Sequence, residues 1–280
     1  MRTKKHNEHF SSLLRRGVGG EVGKVYFIGA GPGDPELLTL KGLRLIKEAD
    51  VILHDRLVSA EIIGYANPNA EVILTGKQKG AKCTPQTAIN DLLVEFALEG
   101  KKVVRLKGGD VSFFSNILDE LEAVTANGID FEIVPGVTAA SGCAAYCGIP
   151  LTARGYSTAV RFITLHQSKI VEEDNWNELA TTNDTLVFYM TFSKLNLLVK
   201  RLLRYGADND MPLVVIEQGT TPKQRQYFSD LKSAEKDFED VKFTSPATII
   251  IGRVVSLAEK FKWFGTKEKG IYFKELSPAE

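Results

Sequence analysis

The sequence predicts an α/β protein made of two consecutive α/β domains, with the active-site cleft between them. Three observations carry the prediction. Apolar, β-rich stretches alternate with helix-patterned ones along the chain, and the first half favours mostly parallel pairing. One strand runs directly into Gly29-Ala30-Gly31-Pro32-Gly33-Asp34-Pro35, and a later one into a second glycine bend, Gly108-Gly109-Asp110. A seam, Pro135-Gly136-Val137, stands near the middle. A length of 280 residues is enough for two domains, each with its own core.

The elements follow in order. A strand over 24–28 enters the first glycine loop, and apolar residues at helical spacing predict a helix over 36–47. Short strands come next over 51–53 and 71–74. Thr84-Pro85 offers a capping hydroxyl and a proline at the first helical position, so a helix should begin there and end at Gly100. A strand over 103–106, a helix over 118–126 and a strand over 131–134 complete the first α/β unit. Beyond the seam, small residues over 138–147 predict a closely packed helix. Strands are expected over 160–165, 186–189, 213–216 and 248–251, with helices over 194–203 and 255–261. The expected organisation is a basic tail over 1–23, domains over 24–135 and 136–264, and a C-terminal tail over 265–280.

Composition narrows the function classes. Thirty-five basic residues balance 35 acidic ones, so nothing favours nucleic acid or an acidic membrane surface as partner. No apolar run approaches the roughly 20 residues that span a bilayer. Three cysteines are too few and too odd for a disulfide scaffold and suit a reducing cytoplasm. The tail carries Arg2, Lys4, Lys5, Arg15 and Arg16 against Glu8; it faintly resembles a transit peptide, and a solvated terminus is the plainer reading.

The first glycine loop has the look of a phosphate-cradling turn, but its chemistry differs. Pro32 has no N–H to give, and Asp34 puts a negative charge where a helix N-terminus would welcome an anion. A neutral or cationic ligand is therefore expected, which disfavours an NAD-dependent oxidoreductase. Ligands of open α/β sheets bind beyond the carboxyl ends of the strands. The first loop, Asp55, Gly108–Asp110 and 135–139 all follow strands, so they should gather on one rim.

These residues resemble a known family. VYFIGAGPGDPELLTLKGLRLIKEADVILHDRLVS (25–59) is similar to the opening of uroporphyrinogen-III C-methyltransferases, and VVRLKGGD (103–110) to their second loop. VPGVTAASGCAAYCGIPLT (134–152), TLVFYM (185–190) and VVIEQGTTPKQR (214–225) resemble their later segments, in order and with family-like spacing. The resemblance implies a tetrapyrrole methyltransferase, usually a homodimer. It would use S-adenosyl-L-methionine (SAM), release S-adenosyl-L-homocysteine, and methylate C2 and C7 of uroporphyrinogen III to give precorrin-2 by way of precorrin-1. That product feeds sirohaem or cobalamin-type pathways. A methyltransferase for a later precorrin, or a non-catalytic SAM-binding relative, would keep the same cofactor loops.

Carried onto this chain, the resemblance implies cofactor contacts from Pro32, Gly108, Gly109, Asp110, Phe113, Thr138, Ala139, Met190 and Gly219. It makes Asp55 the proton acceptor and Lys77 a proton donor. Alkylating a ring carbon leaves a cationic pyrrole that must lose a proton, which gives a base something to do. Asp55 could instead orient a pyrrole N–H or pair with Arg56, and Lys77 could bind a substrate carboxylate. A substrate rich in carboxylates calls for a locally basic pocket, for which Arg56, Lys77, Lys79, Arg105, Lys107, Arg154 and Arg161 are candidates, each of them otherwise a solvated surface charge. Cys143 and Cys147 share a helix face without a histidine, which suits packing better than a metal; no metal site is expected. His166 reads as structural or surface.

The chain departs from the family after Asp110. Val111-Ser112-Phe113-Phe114-Ser115-Asn116-Ile117-Leu118 replaces a glycine-rich turn with an arginine. Ala153 stands where a histidine is usual, and Thr191 where a glycine is. These changes bear on substrate placement more than on the cofactor loops.

Overall fold

The computed structural model describes residues 21–75, 84–165 and 173–273. The chain forms two compact α/β units. The first holds residues through Gly31 together with Pro35–Gly136, and the second holds Pro32–Asp34 and the residues from Val137 onward.

In the first unit, β1 (Val25–Gly29), β2 (Val51–His54), β3 (Glu71–Leu74), β4 (Val103–Lys107) and β5 (Phe131–Val134) make one sheet in the order β3-β2-β4-β1-β5. Every pairing is parallel. A parallel sheet is covered on both faces, which explains why its strands read as nearly continuous apolar runs. On one face Val25, Phe27, Leu53 and Val103 pack against α3 (Gln86–Leu98) and α4 (Ile117–Ala126). On the other, Ile28, Ile52, Val104 and Leu106 pack against Leu45 and Ile46 of α1 (Leu40–Glu48) and Ile62 of α2 (Ala60–Ile63). Successive side chains of one strand thus serve opposite cores.

Helix starts differ from the sequence expectation. The helix expected from residue 36 begins only at Leu40, where the Thr39 hydroxyl accepts from Gly42 N; Pro35–Leu37 is a single 3₁₀ turn. Asp34 therefore faces no helix N-terminus. Its carboxylate accepts from the Tyr146 hydroxyl at 2.5 Å, and its N–H donates to Thr220 Oγ1. In α3 the cap position is Pro85 rather than Thr84, with no side-chain cap bond.

In the second unit, β6 (Val160–Thr164), β7 (Thr185–Tyr189), β8 (Pro212–Glu217), β9 (Arg225–Asp230) and β10 (Ala247–Ile251) order as β6-β7-β10-β8-β9. Only β6 and β7 run parallel. The expected elements omit β9, a polar edge strand, RQYFSD, whose hairpin pairing with β8 supplies what its composition does not. They also omit α6 (Glu173–Thr181), and the helix expected over 255–261 is a 3₁₀ turn, Arg253–Leu257. One face of this sheet packs on α7 (Leu195–Arg204), whose Leu195, Leu198, Val199 and Leu202 make an i, i+3, i+4, i+7 stripe. The other packs on α5 (Ala139–Tyr146) through Ala140, Cys143 and Ala144. Residues 266–273 lie along this unit: Phe273 is buried, Tyr272 N donates to Gln218 Oε1, and Gln218 Nε2 donates to the Gly270 carbonyl.

Candidate active site

Parallel register brings the carboxyl ends of β1, β2, β4 and β5 to one edge of the first sheet. Backbone locks these ends together: Gly31 N donates to the Gly109 carbonyl at 3.0 Å, and Gly109 N to the Gly31 carbonyl at 2.7 Å. A Cβ on Gly29 would lie 2.6 Å from Gly136 N and 2.7 Å from the Gly109 carbonyl oxygen, so three backbones meet where no side chain fits. Gly109 itself sits at φ +72°, a left-handed conformation natural to glycine. These glycines are needed first to let the strand ends approach one another.

Asp110 has a similar duty. Its Oδ2 accepts from Gly136 N and its Oδ1 from Ser112 N, both at 2.8 Å, so the carboxylate staples two loops. Phe113 lies in the altered loop and is half-exposed, beside Phe114 and Asn116, both with left-handed backbone.

Asp55 stands just past β2 on the same edge. Its Oδ1 accepts from Arg105 Nη2 at 2.6 Å and, at 3.4 Å, from the Thr75 hydroxyl. Among the described residues, nothing hydrogen-bonds its Oδ2. Its partner is thus Arg105, not the neighbouring Arg56. Arg105 Nε reaches the buried Glu120 at 3.0 Å, and Lys107 Nζ reaches both oxygens of Glu120 at 3.0 Å. Burial opposes the Arg105 charge, but Asp55 and Glu120 outweigh it and hold the pKa above its ordinary value. Burial, then the adjacent Arg105, pulls the Lys107 ammonium below its usual range against the attraction of Glu120. Burial likewise lowers the pKa of His54, whose Nδ1 lies 3.0 Å from the Asp55 carbonyl oxygen.

This pairing removes three residues from the expected basic pocket. Arg105 and Lys107 are spent on internal carboxylates, and Arg161 is held by Asp184 and Glu178, both at 2.5 Å. Arg56 is partly buried and Arg154 is exposed. Lys77, Lys79 and His166 lie outside the described residues.

Within the second unit a different cluster forms around the loop after β8. Gln218 and Thr220 adopt left-handed backbone at φ +47° and +67°, as does Met190, half-exposed at the end of β7, at φ +52°. Non-glycine residues held in this region gather at functional sites. Pro32 packs here: a Cβ on Gly142 would lie 2.5 Å from its Cγ. The Tyr189 hydroxyl hydrogen-bonds Thr138 Oγ1 at 2.7 Å and accepts from Ala140 N at 2.8 Å, tying the start of α5 to β7. Thr191 has a structural use in place of the family's glycine; its buried hydroxyl accepts from Leu165 N and donates to the Tyr189 carbonyl.

Gly219 and Cys143 fit as a pair, since any Cβ at Gly219 would overlap the Cys143 sulfur. Burial pushes this thiol up to about 12, so it stays protonated. Among the described residues no group of three His, Cys, Asp or Glu side chains could hold a metal ion, and no helix is long and apolar enough to cross a membrane. Gly219→Ala should cost about 1–3 kcal/mol of stability through overpacking. Urea denaturation of Gly219→Ala with and without Cys143→Ala checks this; a double variant no more stable than the single would show that the sulfur is not the obstacle.

Sequence reasoning missed Glu120, Gln218, Thr220 and Tyr189. Glu120 did leave a signal: it falls on the apolar stripe of Ile117, Leu121 and Val124, opposite two cations in an otherwise apolar strand, VVRLK. The other three gave none, because their significance lies in backbone conformation and distant partners.

Known proteins provide the comparison. The family model described as tetrapyrrole (corrin/porphyrin) methylases matches residues 24–235. A siroheme synthase of Ruthia magnifica is 45% identical over 247 residues, 88% of this chain and 52% of that protein, so the chain spans about half the length of the curated relatives it matches. A Thermus thermophilus uroporphyrin-III C-methyltransferase, solved with S-adenosyl homocysteine, superposes with a TM-score of 0.70 at 36% identity, covering 84% of this chain and 94% of that one. A cobalt precorrin-4 methyltransferase superposes with a TM-score of 0.75 at 29% identity, covering 83% and 95%.

Proposed function

We propose, from the premise that this chain belongs to the tetrapyrrole (corrin/porphyrin) methylase family, that it transfers methyl groups from SAM to C2 and C7 of uroporphyrinogen III. The product would be precorrin-2, reached through precorrin-1 and passed on towards sirohaem or cobalamin. The observation that carries the reading is the likeness to a uroporphyrin-III C-methyltransferase over nearly all of that enzyme.

The residues fit a sulfonium donor. Such a donor needs neutral neighbours and no strong nucleophile. Around Gly219 the second unit supplies Thr220, Thr221 and Gln224, with a buried thiol that stays protonated. SAM, when bound, supplies an electrophilic methyl group. The proposed contacts on the first unit are Gly108, Gly109, Asp110 and Phe113. Those on the second are Pro32, Thr138, Ala139, Met190 and Gly219. Positioning does much of the work in a direct transfer, since good alignment is worth roughly 7–11 kcal/mol.

Asp55 is the proposed proton acceptor. Arg105 and Thr75 fix its Oδ1, which leaves Oδ2 to take the proton from the alkylated, cationic ring. Lys77 is the proposed donor. The homodimer typical of the family and a reducing cytoplasmic setting, which suits the buried free thiols Cys143 and Cys147, belong to the same proposal.

Incubation with SAM and uroporphyrinogen III, read by product mass, tests the reading: two added methyl groups per macrocycle are expected. The likeness to a cobalt precorrin-4 methyltransferase, with the altered loop over 111–118, favours a later precorrin as the second reading. No methyl added to uroporphyrinogen III, with one added to a later precorrin, would select it. Cofactor binding in calorimetry without turnover on either substrate would leave a SAM-binding relative.

A further inference from the structure

We infer that Glu120, a wholly buried residue, is a positioning residue for Asp55: through Arg105 it fixes where the Asp55 carboxylate stands at the end of β2. The inference rests on the proposed role of Asp55 and extends it to a fully buried side chain on another element.

The geometry is a relay of four alternating charges. Glu120 is wholly buried in α4 and accepts from Arg105 Nε, from Lys107 Nζ and, at 3.3 Å, from Gln86 Nε2 of α3. The Arg105 side chain is 3% exposed, and its Nη1 lies 3.3 Å from the Leu106 carbonyl oxygen. A guanidinium is a rigid planar fork. Once Nε is anchored on Glu120 and Nη1 on backbone, the direction of Nη2 is set, and Nη2 is the atom 2.6 Å from Asp55 Oδ1. Asp55 is the one member that reaches solvent, with its side chain 34% exposed; the other three are 0–3% exposed.

Stability is a poor reason for such a relay. Burying charges costs several kcal/mol per ion, and apolar replacements of similar volume are often neutral or better. Geometry is a better reason, because an error of about 1 Å in a reacting group can cost roughly 10²-fold in rate. Lys107 completes the arrangement: with Arg105 it sets two cations against the carboxylates of Asp55 and Glu120, so the cluster is neutral. The charged groups around Asp55 are His54 and Arg56 beside it, Arg105 and Lys107 from β4 and Glu120 from α4; Lys77 and Lys79 follow β3 outside the described residues.

The test uses the full chain with SAM and uroporphyrinogen III and compares Glu120→Gln, the double variant Glu120→Leu/Lys107→Met, and Asp55→Asn. Glu120→Gln is expected to lower kcat by about 10²-fold with SAM affinity in calorimetry within about twofold. The loss should fall on kcat, with KM for uroporphyrinogen III within about twofold, because only the aim of the Asp55 carboxylate is disturbed. The double variant replaces a buried ion pair with apolar groups. It should unfold cooperatively, at a temperature no lower than Glu120→Gln, and still turn over slowly. Wild-type kcat in a folded double variant, or a Glu120→Gln loss that falls on KM rather than on kcat, overturns the inference. Should Glu120→Gln fail to fold, the double variant decides alone. Asp55→Asn separates the two ideas. Full turnover there removes the Asp55 reading itself; lost turnover there, with full turnover in both Glu120 variants, removes only the positioning role.

Discussion

Asp55→Asn is expected to lower kcat by about 10²–10⁴-fold, the usual contribution of a positioned base, while SAM affinity changes by no more than about threefold. The basis is the division of labour in the carboxylate: Oδ1 is held by Arg105 and Thr75, and no described residue hydrogen-bonds Oδ2. Asparagine keeps the shape and loses the basicity. It also deprives a nearly buried guanidinium of one of its two carboxylates, so some stability should go with it. Because Asp55 is a third exposed, that loss should be well below the roughly 3–5 kcal/mol of breaking a fully buried pair. Single-turnover kinetics and calorimetry on the same preparation check the prediction. An equal fall in turnover and cofactor affinity would show that Asp55 serves the cofactor instead.

Gly29→Ala should do more harm with a smaller change. A Cβ there meets Gly136 N at 2.6 Å, the Gly109 carbonyl oxygen at 2.7 Å and Gly136 Cα at 2.7 Å, all of them backbone atoms that cannot swing aside. Gly136 faces the same difficulty, its Cβ falling 2.5 Å from the Gly109 carbonyl oxygen. Relief would require β1, the Gly108–Asp110 bend and the segment after β5 to part, undoing the Gly31–Gly109 hydrogen bonds. The expected cost is above about 3 kcal/mol, in the severe tail of single substitutions. Thermal denaturation of Gly29→Ala beside Gly265→Ala, where a Cβ would meet nothing within 4 Å and the backbone is not left-handed, provides the comparison. Equal losses would mean that close approach is not what Gly29 provides.

Local patterns were readable where local physics decides. The strands of the first sheet are mostly apolar because its faces are covered by helices, and each is legible as a short apolar run before a turn. Thr39 capping was not foreseen, since the apolar spacing of Glu36–Leu38 imitates a helix that the chain delays until Leu40. β9 was missed because a polar edge strand owes its existence to its hairpin partner. In sequence, Arg105, Lys107 and Arg161 have the look of candidate substrate-binding cations. Nothing within a few residues of any of the three announces its acid, for the Arg105 partners lie 15 and 50 positions away.

By itself, then, the order of amino acids determined the α/β class, the strands that end in glycine bends, and membership of the methylase family, because period, turn chemistry and motif spacing are properties of neighbouring residues. Tertiary structure alone decided which charges are committed inward, why Gly29 and Gly136 leave no room for a side chain, and how Glu120 comes to stand behind Asp55. The physical reason is that parallel register and helix packing bring together side chains tens of residues apart, and a buried charge takes its meaning from the partner it finds there.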